Sequence, residues 1–369
     1  MKNSPTSIIT SNVPYLDGWR GLAIIFVLIG HFAVQIGAFR TFYFGPLGVQ
    51  LFFVLSGFFM GKILFIRKTA LIPFFARRFI RIVPTFWVYI SFIYLFFHLF
   101  QSKPYHISLA ELLPTYFFLS TYLPVTLSIW SNLWPNGHLW SLNVEEHCYI
   151  YLALGAFLTA RASTIYKFLF LAGSVIIVLL ITILYVLGVI SSPVASPFRT
   201  HTEVASLGLL ASAAYVTLRP QRNFLFWNKS PLIPLFSLAI AIVIFIPNRK
   251  DAESLNMIIS PVFAAIAVNH AENFPLWIKK LLSSRILVWF GRCSFSLYLW
   301  QQPFHFLVIN SGLPHVIGVV SAISTGILSF YLIENPSRNY LIGKLSTYQQ
   351  RRSNHQLAST SQLSQPDIK

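Results

Sequence analysis

The chain has 369 residues, 55% of them hydrophobic and only 10% charged, with 35 phenylalanines and a mean hydropathy of +0.65. Charged residues make up about a quarter of an ordinary soluble domain, so this composition excludes a soluble globular protein and points to an integral membrane protein. The net charge of +17 does not mark a nucleic-acid partner, because the basic residues fall mainly between apolar stretches, where topology and anionic lipid headgroups account for them.

The first fifteen residues hold no long apolar run ahead of a small-residue cleavage site, so no removable signal peptide is expected and the first membrane helix directs its own insertion. That helix is predicted over 16–37, LDGWRGLAIIFVLIGHFAVQIG, long enough to span a bilayer yet carrying Asp17, Arg20 and His31. The step from Arg20 to His31 rotates by about 20° net and rises roughly 16 Å on an α-helix, and Asp17 lies within about 40° of His31, so all three share a stripe. They are either interfacial anchors with a satisfied core histidine, or functional groups.

Further apolar windows predict helices over 46–66, 80–100, 139–160, 166–190, 203–219, 231–247, 254–271, 286–309 and 314–334. The expected fold is therefore an all-α integral membrane protein, a polytopic bundle of about ten transmembrane helices. With the N-terminus inside, 20 Lys and Arg fall in inner segments and 5 in outer ones, an asymmetry that selects both termini in the cytoplasm. In the long outer segment 101–136, Pro114 and Pro124 break the stretch 109–129, which reads as re-entrant or interfacial. Residues 1–345 are expected to form one membrane domain, and the polar segment 346–369 a cytoplasmic tail without structure of its own. Cys148 and Cys293 fall in apolar spans without metal-ligand spacing, so no metal is expected.

Polar residues recur at matching depths. In HLWSLNVEEHCYIY, Glu145 and Glu146 lie roughly 10 Å below the outer start of their helix, and His31 lies about 10 Å below the same surface. One glutamate can therefore orient His31 for acid–base work on a hydroxyl, or the two can simply tie helices together. His201 and Glu203, in SPFRTHTEVASLG, fall near the outer surface and read as a polar-acceptor site or as a helix cap. On the inner side, Arg78 and Arg81 share a face at i, i+3 spacing, with Arg77 beside them; they offer phosphate contacts or merely satisfy topology. Glu334, in LIENPSR, reaches the same surface and is expected to partner one of these arginines. A basic inner cluster joined along one helix to an outer His/Glu cluster suits a long phosphate-bearing donor such as acyl-coenzyme A, with an acceptor arriving from outside.

Taken in order, the motifs resemble the acyltransferase-3 family of membrane-bound O-acyltransferases. LDGWRGLAIIFVLIGHF is similar to its first helix, with Arg20 and His31 in the Arg-x10-His pattern, and GPLGVQLFFVLSGFF to its glycine-led second helix. RRFIRIVP carries its Arg-x-x-Arg segment, WSLNVEEHCYIY its Trp-Ser-Leu-x-Val-Glu-Glu segment, and GRCSFSLYLWQQP and ENP the motifs of its last helices. The resemblance covers nearly the whole chain before the tail. It implies transfer of an acyl group, usually acetyl from acetyl-CoA, to hydroxyls of cell-envelope or exported glycans and small glycosides. It further implies His31 as the catalytic residue and Arg20, Arg78 and Arg81 as donor-side residues; Asp17, one turn before Arg20, is expected to pair with it and hold its rotamer. Gln301 stands where relatives often carry His, and His201 and Glu203 where many carry Arg and Asp, which leaves the acceptor open. The extra soluble domain that some members append is not expected here.

The resulting expectation is an O-acyltransferase of the bacterial inner membrane, surrounded by lipid and acting beside glycan-synthesis machinery. Its rivals are a transporter or flippase, since polar residues at several depths also describe an ion pathway, and a scaffold with a degenerate site.

Overall fold

The computed structural model describes residues 13–33, 42–100, 109–122, 135–187, 189, 205–218, 230–244 and 250–363. Among them every regular element is a helix. In chain order these are α1 (Pro14–Phe32), α2 (Phe44–Gly61) with a π-helical turn (Lys62–Ile66), α3 (Leu71–Phe100), the short α4 (Leu109–Tyr116), α5 (Leu139–Leu158) and α6 (Thr164–Val186). They continue with α7 (Ala205–Leu218), α8 (Leu232–Val243), α9 (Lys250–Asn269), the short α10 (Leu276–Leu282), α11 (Arg285–Ser311), α12 (His315–Ser329) with a second π-helical turn (Phe330–Glu334), and α13 (Asn335–Leu363). Local chemistry sets several ends. Pro14 opens α1, where its missing N–H costs nothing. Ser284 caps α11 by accepting from the Leu287 amide, and Gly312 closes it at φ 69°.

A helix stands at each predicted span. Five stretches are long and apolar enough to cross a bilayer by length and composition: Pro14–Phe32, Phe44–Ile66, Leu71–Phe96, Thr164–Leu184 and His315–Gln350. Helices α5 and α11 fall outside that set because they carry Asn143, Glu145 and Glu146, and Ser294, Ser296, Gln301 and His305. Most of these side chains find partners inside the bundle rather than in lipid. The outward faces are the reverse: α3 exposes Ile72, Phe79, Phe92 and Leu95, and α6 exposes Ile176, Ile177 and Leu180. In water such faces would drive aggregation, whereas hydrocarbon accepts them.

Two boundaries differ from the expected ones. Helix α3 begins at Leu71, so Pro84 sits inside it rather than near its start, and the basic residues Arg77, Arg78 and Arg81 lie on helix rather than before it. The polar segment expected to lack structure is helical as far as Leu363. Extending an existing helix needs no new nucleus, so weak propensity suffices. Of the long outer segment, α4 lies against α3, with Trp87 Nε1 donating to the Tyr116 carbonyl at 3.1 Å and Ser91 Oγ meeting the Tyr116 hydroxyl at 2.6 Å.

Helix α1 sits at the centre, packed against α2, α10, α11 and α12, with Trp19, Ile24 and Val27 almost wholly buried. Contact pairs fix the directions. Gly291 meets Asp17 and Gln301 meets His31, so α1 and α11 run parallel. Gly30 meets Gly45 while Gly48 meets Ala23, so α2 runs against α1. Ser56 meets Glu145 and Phe53 meets Trp140, so α5 runs with α2, whereas Arg78–Glu146 and Tyr89–Asn136 set α3 against α5.

Helices in lipid gain little from hydrophobic burial against each other and rely on close packing at small residues. A Cβ on Gly21 would lie 2.0 Å from the Leu287 carbonyl oxygen, and one on Gly291 1.9 Å from that of Asp17. Both obstacles are backbone. Gly291→Val is therefore expected to force α1 and α11 apart at a cost of about 3 kcal/mol or more. Protein recovered from membranes, and its thermal midpoint in detergent, should both fall; wild-type values for both would contradict this packing.

Candidate active site

A narrow cavity of about 90 Å³ opens between α1, α2, α3, α5 and α11. It brings together the three arginines expected on the donor side: Arg20 from α1, and Arg78 and Arg81 from α3, all line it. Ser56, Ser141, Glu145, Tyr149, Ser294 and Tyr298 contribute the other polar groups of its wall.

The three arginines are not equivalent. The Arg78 guanidinium forks onto Glu146, with Nη2 at 2.7 Å and Nε at 3.0 and 3.1 Å from the carboxylate oxygens. It also lies 3.6 Å from Glu145 and 3.3 Å above the centre of the Tyr149 ring. A bidentate pair with an aromatic platform is the strongest setting for this side chain and leaves it few free donors. Arg20 pairs with Asp17 at 3.5 Å, the i, i+3 contact expected from the sequence, and sits 4.7 Å over the Phe59 ring. Arg81 has no carboxylate within salt-bridge distance among the described residues. Glu334, expected to partner an arginine, accepts instead from Ser296 Oγ at 2.6 Å, with Arg81 and Arg338 as electrostatic neighbours.

His31 lies farther along α1, in a second polar site. Its Nδ1 is hydrogen-bonded to Gln301 Oε1, and its ring stacks on that of His305 with centroids 4.5 Å apart and planes inclined at 23°. His138, from the turn before α5, is an electrostatic neighbour and is buried against the rings of Tyr89 and Tyr298. The Tyr298 hydroxyl donates to the His138 carbonyl at 2.9 Å and meets Ser141 Oγ at 2.5 Å. Tyr298 and Ser141 line the arginine cavity, so this hydrogen-bonded knot stands between that cavity and His138.

The expected pairing of His31 with Glu145 or Glu146 is not formed. Glu145 accepts from Ser56 Oγ at 2.5 Å and from the Tyr149 hydroxyl, and Glu146 is bound to Arg78. The reason is depth as well as azimuth: His31 lies one residue before the end of α1, whereas Glu145 and Glu146 lie six and seven residues inside α5, beside the Arg20 cavity and facing α2 and α3. The expected equal depth rested on a first helix reaching residue 37, whereas α1 ends at Phe32, so His31 and the glutamates stand at different levels. Gln301 and His305 take the place beside His31, and their spacing of one helical turn on α11 is the sequence signal that could have placed both on one face. His201 and Glu203 lie outside the described residues. Among those described, no three His, Cys, Asp or Glu side chains converge on a point where a metal ion could sit.

This geometry can be set beside known proteins. The acyltransferase-3 family model, an acyltransferase domain, matches residues 13–334. The chain belongs to the acyltransferase-3 family. Among curated relatives of this acyltransferase-3 chain, the peptidoglycan O-acetyltransferase OatA of Listeria monocytogenes serovar 1/2a is 27% identical over 369 aligned residues, covering 88% of the chain and 56% of the relative. The O-acetyltransferase OatA of Staphylococcus aureus strain NCTC 8325 is 27% identical over 358 residues, covering 88% and 57%. The chain thus spans little more than half the length of these relatives. No solved structure matches it.

Proposed function

We propose that this acyltransferase-3 chain is a membrane O-acetyltransferase that moves an acetyl group from cytoplasmic acetyl-CoA to a hydroxyl of a cell-envelope glycan, with peptidoglycan, named for one relative, as the first candidate. The observation that carries this reading is the convergence of Arg20, Arg78 and Arg81 on one narrow cavity, beneath a helix that rises roughly 16 Å to His31. Arg20 and Arg81 hold the anionic groups of the donor, and Arg78 braces the wall through Glu145 and Glu146. His31 accepts the proton of the acceptor hydroxyl as its oxygen bonds to the thioester carbon; the C–S bond breaks and the thiolate leaves with that proton. His201 and Glu203 bind the acceptor, and Asp17 holds the rotamer of Arg20.

The proposal places ten spans in the membrane with both termini cytoplasmic. It is supported by the charge asymmetry and by the helix directions, since α1, α3 and α11 run one way and α2 and α5 the other, as does α12, where Gly318 meets Val308 and Gly326 meets Leu297.

Membranes containing the protein, given radiolabelled acetyl-CoA and a glycan extract, should transfer label to glycan. Arg81→Ala should raise KM for acetyl-CoA about tenfold, the effect of one lost charge-assisted hydrogen bond, at little change in kcat. Glycan translocation without label transfer would replace the enzyme with a flippase.

A further inference from the structure

We propose that Gln301 is the positioning residue for His31, and that it holds the imidazole with its proton on Nδ1 and its Nε2 bare. The inference rests on the reading of His31 as the base and adds the group that sets its tautomer.

The contact itself decides the tautomer. Gln301 offers its amide oxygen to His31 Nδ1, and a carbonyl oxygen only accepts, so Nδ1 must donate and the lone pair must reside on Nε2. The other end of the amide donates to Gln302 Oε1 at 3.4 Å. Gln301 is fully buried, so water does not substitute for it. His305, one helical turn further along α11, stacks on the imidazole face. Edge and face of His31 are thus gripped by a single turn of α11, between Gln301 and His305.

The surroundings explain why an amide suits this place. The titratable groups around His31 are His305 on α11, His138 before α5, and, beyond His305, His315 at the start of α12; Glu145 and Glu146 are committed to Arg78 and its neighbours. A carboxylate beside His31 would stabilise the imidazolium and favour a ring that is already protonated. The amide orients the ring without adding charge, so His31 stays free to take the hydroxyl proton and to release it to the departing thiolate.

The test compares wild type, Gln301→Leu and Gln301→Glu in membranes, by acetyl transfer against pH and by the rate at which diethyl pyrocarbonate modifies His31, read by peptide mass. Gln301→Leu should lower kcat by about ten- to a hundredfold, within the range of acid–base contributions, with KM for acetyl-CoA unchanged. Gln301→Glu should keep transfer but move both the acid limb of the profile and the midpoint of His31 modification up by about one pH unit. Wild-type kcat in Gln301→Leu, or Gln301→Glu profiles superimposable on wild type, would overturn the assignment. Should Gln301→Leu fail to accumulate, the near-isosteric Gln301→Glu decides alone. If wild type transfers no label, the reading as an acetyltransferase fails, while the modification profiles still settle whether Gln301 governs the ring.

Discussion

His31→Ala is expected to abolish acetylation of the glycan while leaving the amount of protein in the membrane unchanged. Loss of a positioned general base removes about 10²- to 10⁴-fold in rate, which in a membrane assay reads as no transfer. Protein level should hold because the polar contacts that bind helices together near the cavity run through Arg78, Glu145 and Glu146, whereas His31 makes a single side-chain hydrogen bond among the described residues, to Gln301. His31→Gln conserves most of the volume and should be equally inactive. On the proposed assignment acetyl-CoA should still bind either variant with the wild-type affinity, because the donor site is put at Arg20, about 16 Å down the helix, and at Arg81 on α3. Glycan that keeps its acetyl groups in His31→Ala would remove the imidazole from the chemistry.

The stripe of Asp17, Arg20 and His31 was legible in the sequence because helical periodicity alone fixes which residues share a face. The same holds for Arg78 and Arg81, and the structure puts both beside Arg20. Partnerships between helices were less legible. Depth arithmetic set Glu145 and Glu146 level with His31 by counting from residue 37, whereas His31 lies at the end of α1 and the glutamates lie beside Arg20, turned to helices that the sequence of α5 does not name. Gln301 hid for another reason: it carries no charge and sits in the aromatic run SLYLWQQP, so only its place in a family motif drew notice. His305 lay just beyond that motif. The start of α3 was misread because Arg77, Arg78 and Arg81 fall in its second and third turns, and a hydropathy window registers only the apolar part that follows them.

Arg78→Ala should act on folding before it acts on catalysis. Glu145 and Glu146 are adjacent carboxylates with 18% and 19% of their side chains exposed, and Arg78, itself 11% exposed, is the cation that contacts both. Deleting it leaves two neighbouring acids in a low-dielectric wall, a change that costs about 3–5 kcal/mol against a total stability of about 5–15 kcal/mol for a typical protein. The variant should accumulate poorly and aggregate at lower temperature in detergent. Arg78→Lys should recover only part of the loss, because an ammonium cannot fork onto Glu146 or stack as flatly on Tyr149. Combining Arg78→Ala with Glu146→Gln should restore protein level, since the excess charge disappears with its counterion. The contrast with Arg81 is then diagnostic. Among the described residues Arg81 has no carboxylate at salt-bridge distance, so its removal should change donor affinity and not stability. If Arg78→Ala instead accumulated like wild type and showed only a raised KM for acetyl-CoA, Arg78 would be a donor ligand and its ion pair with Glu146 dispensable to the fold.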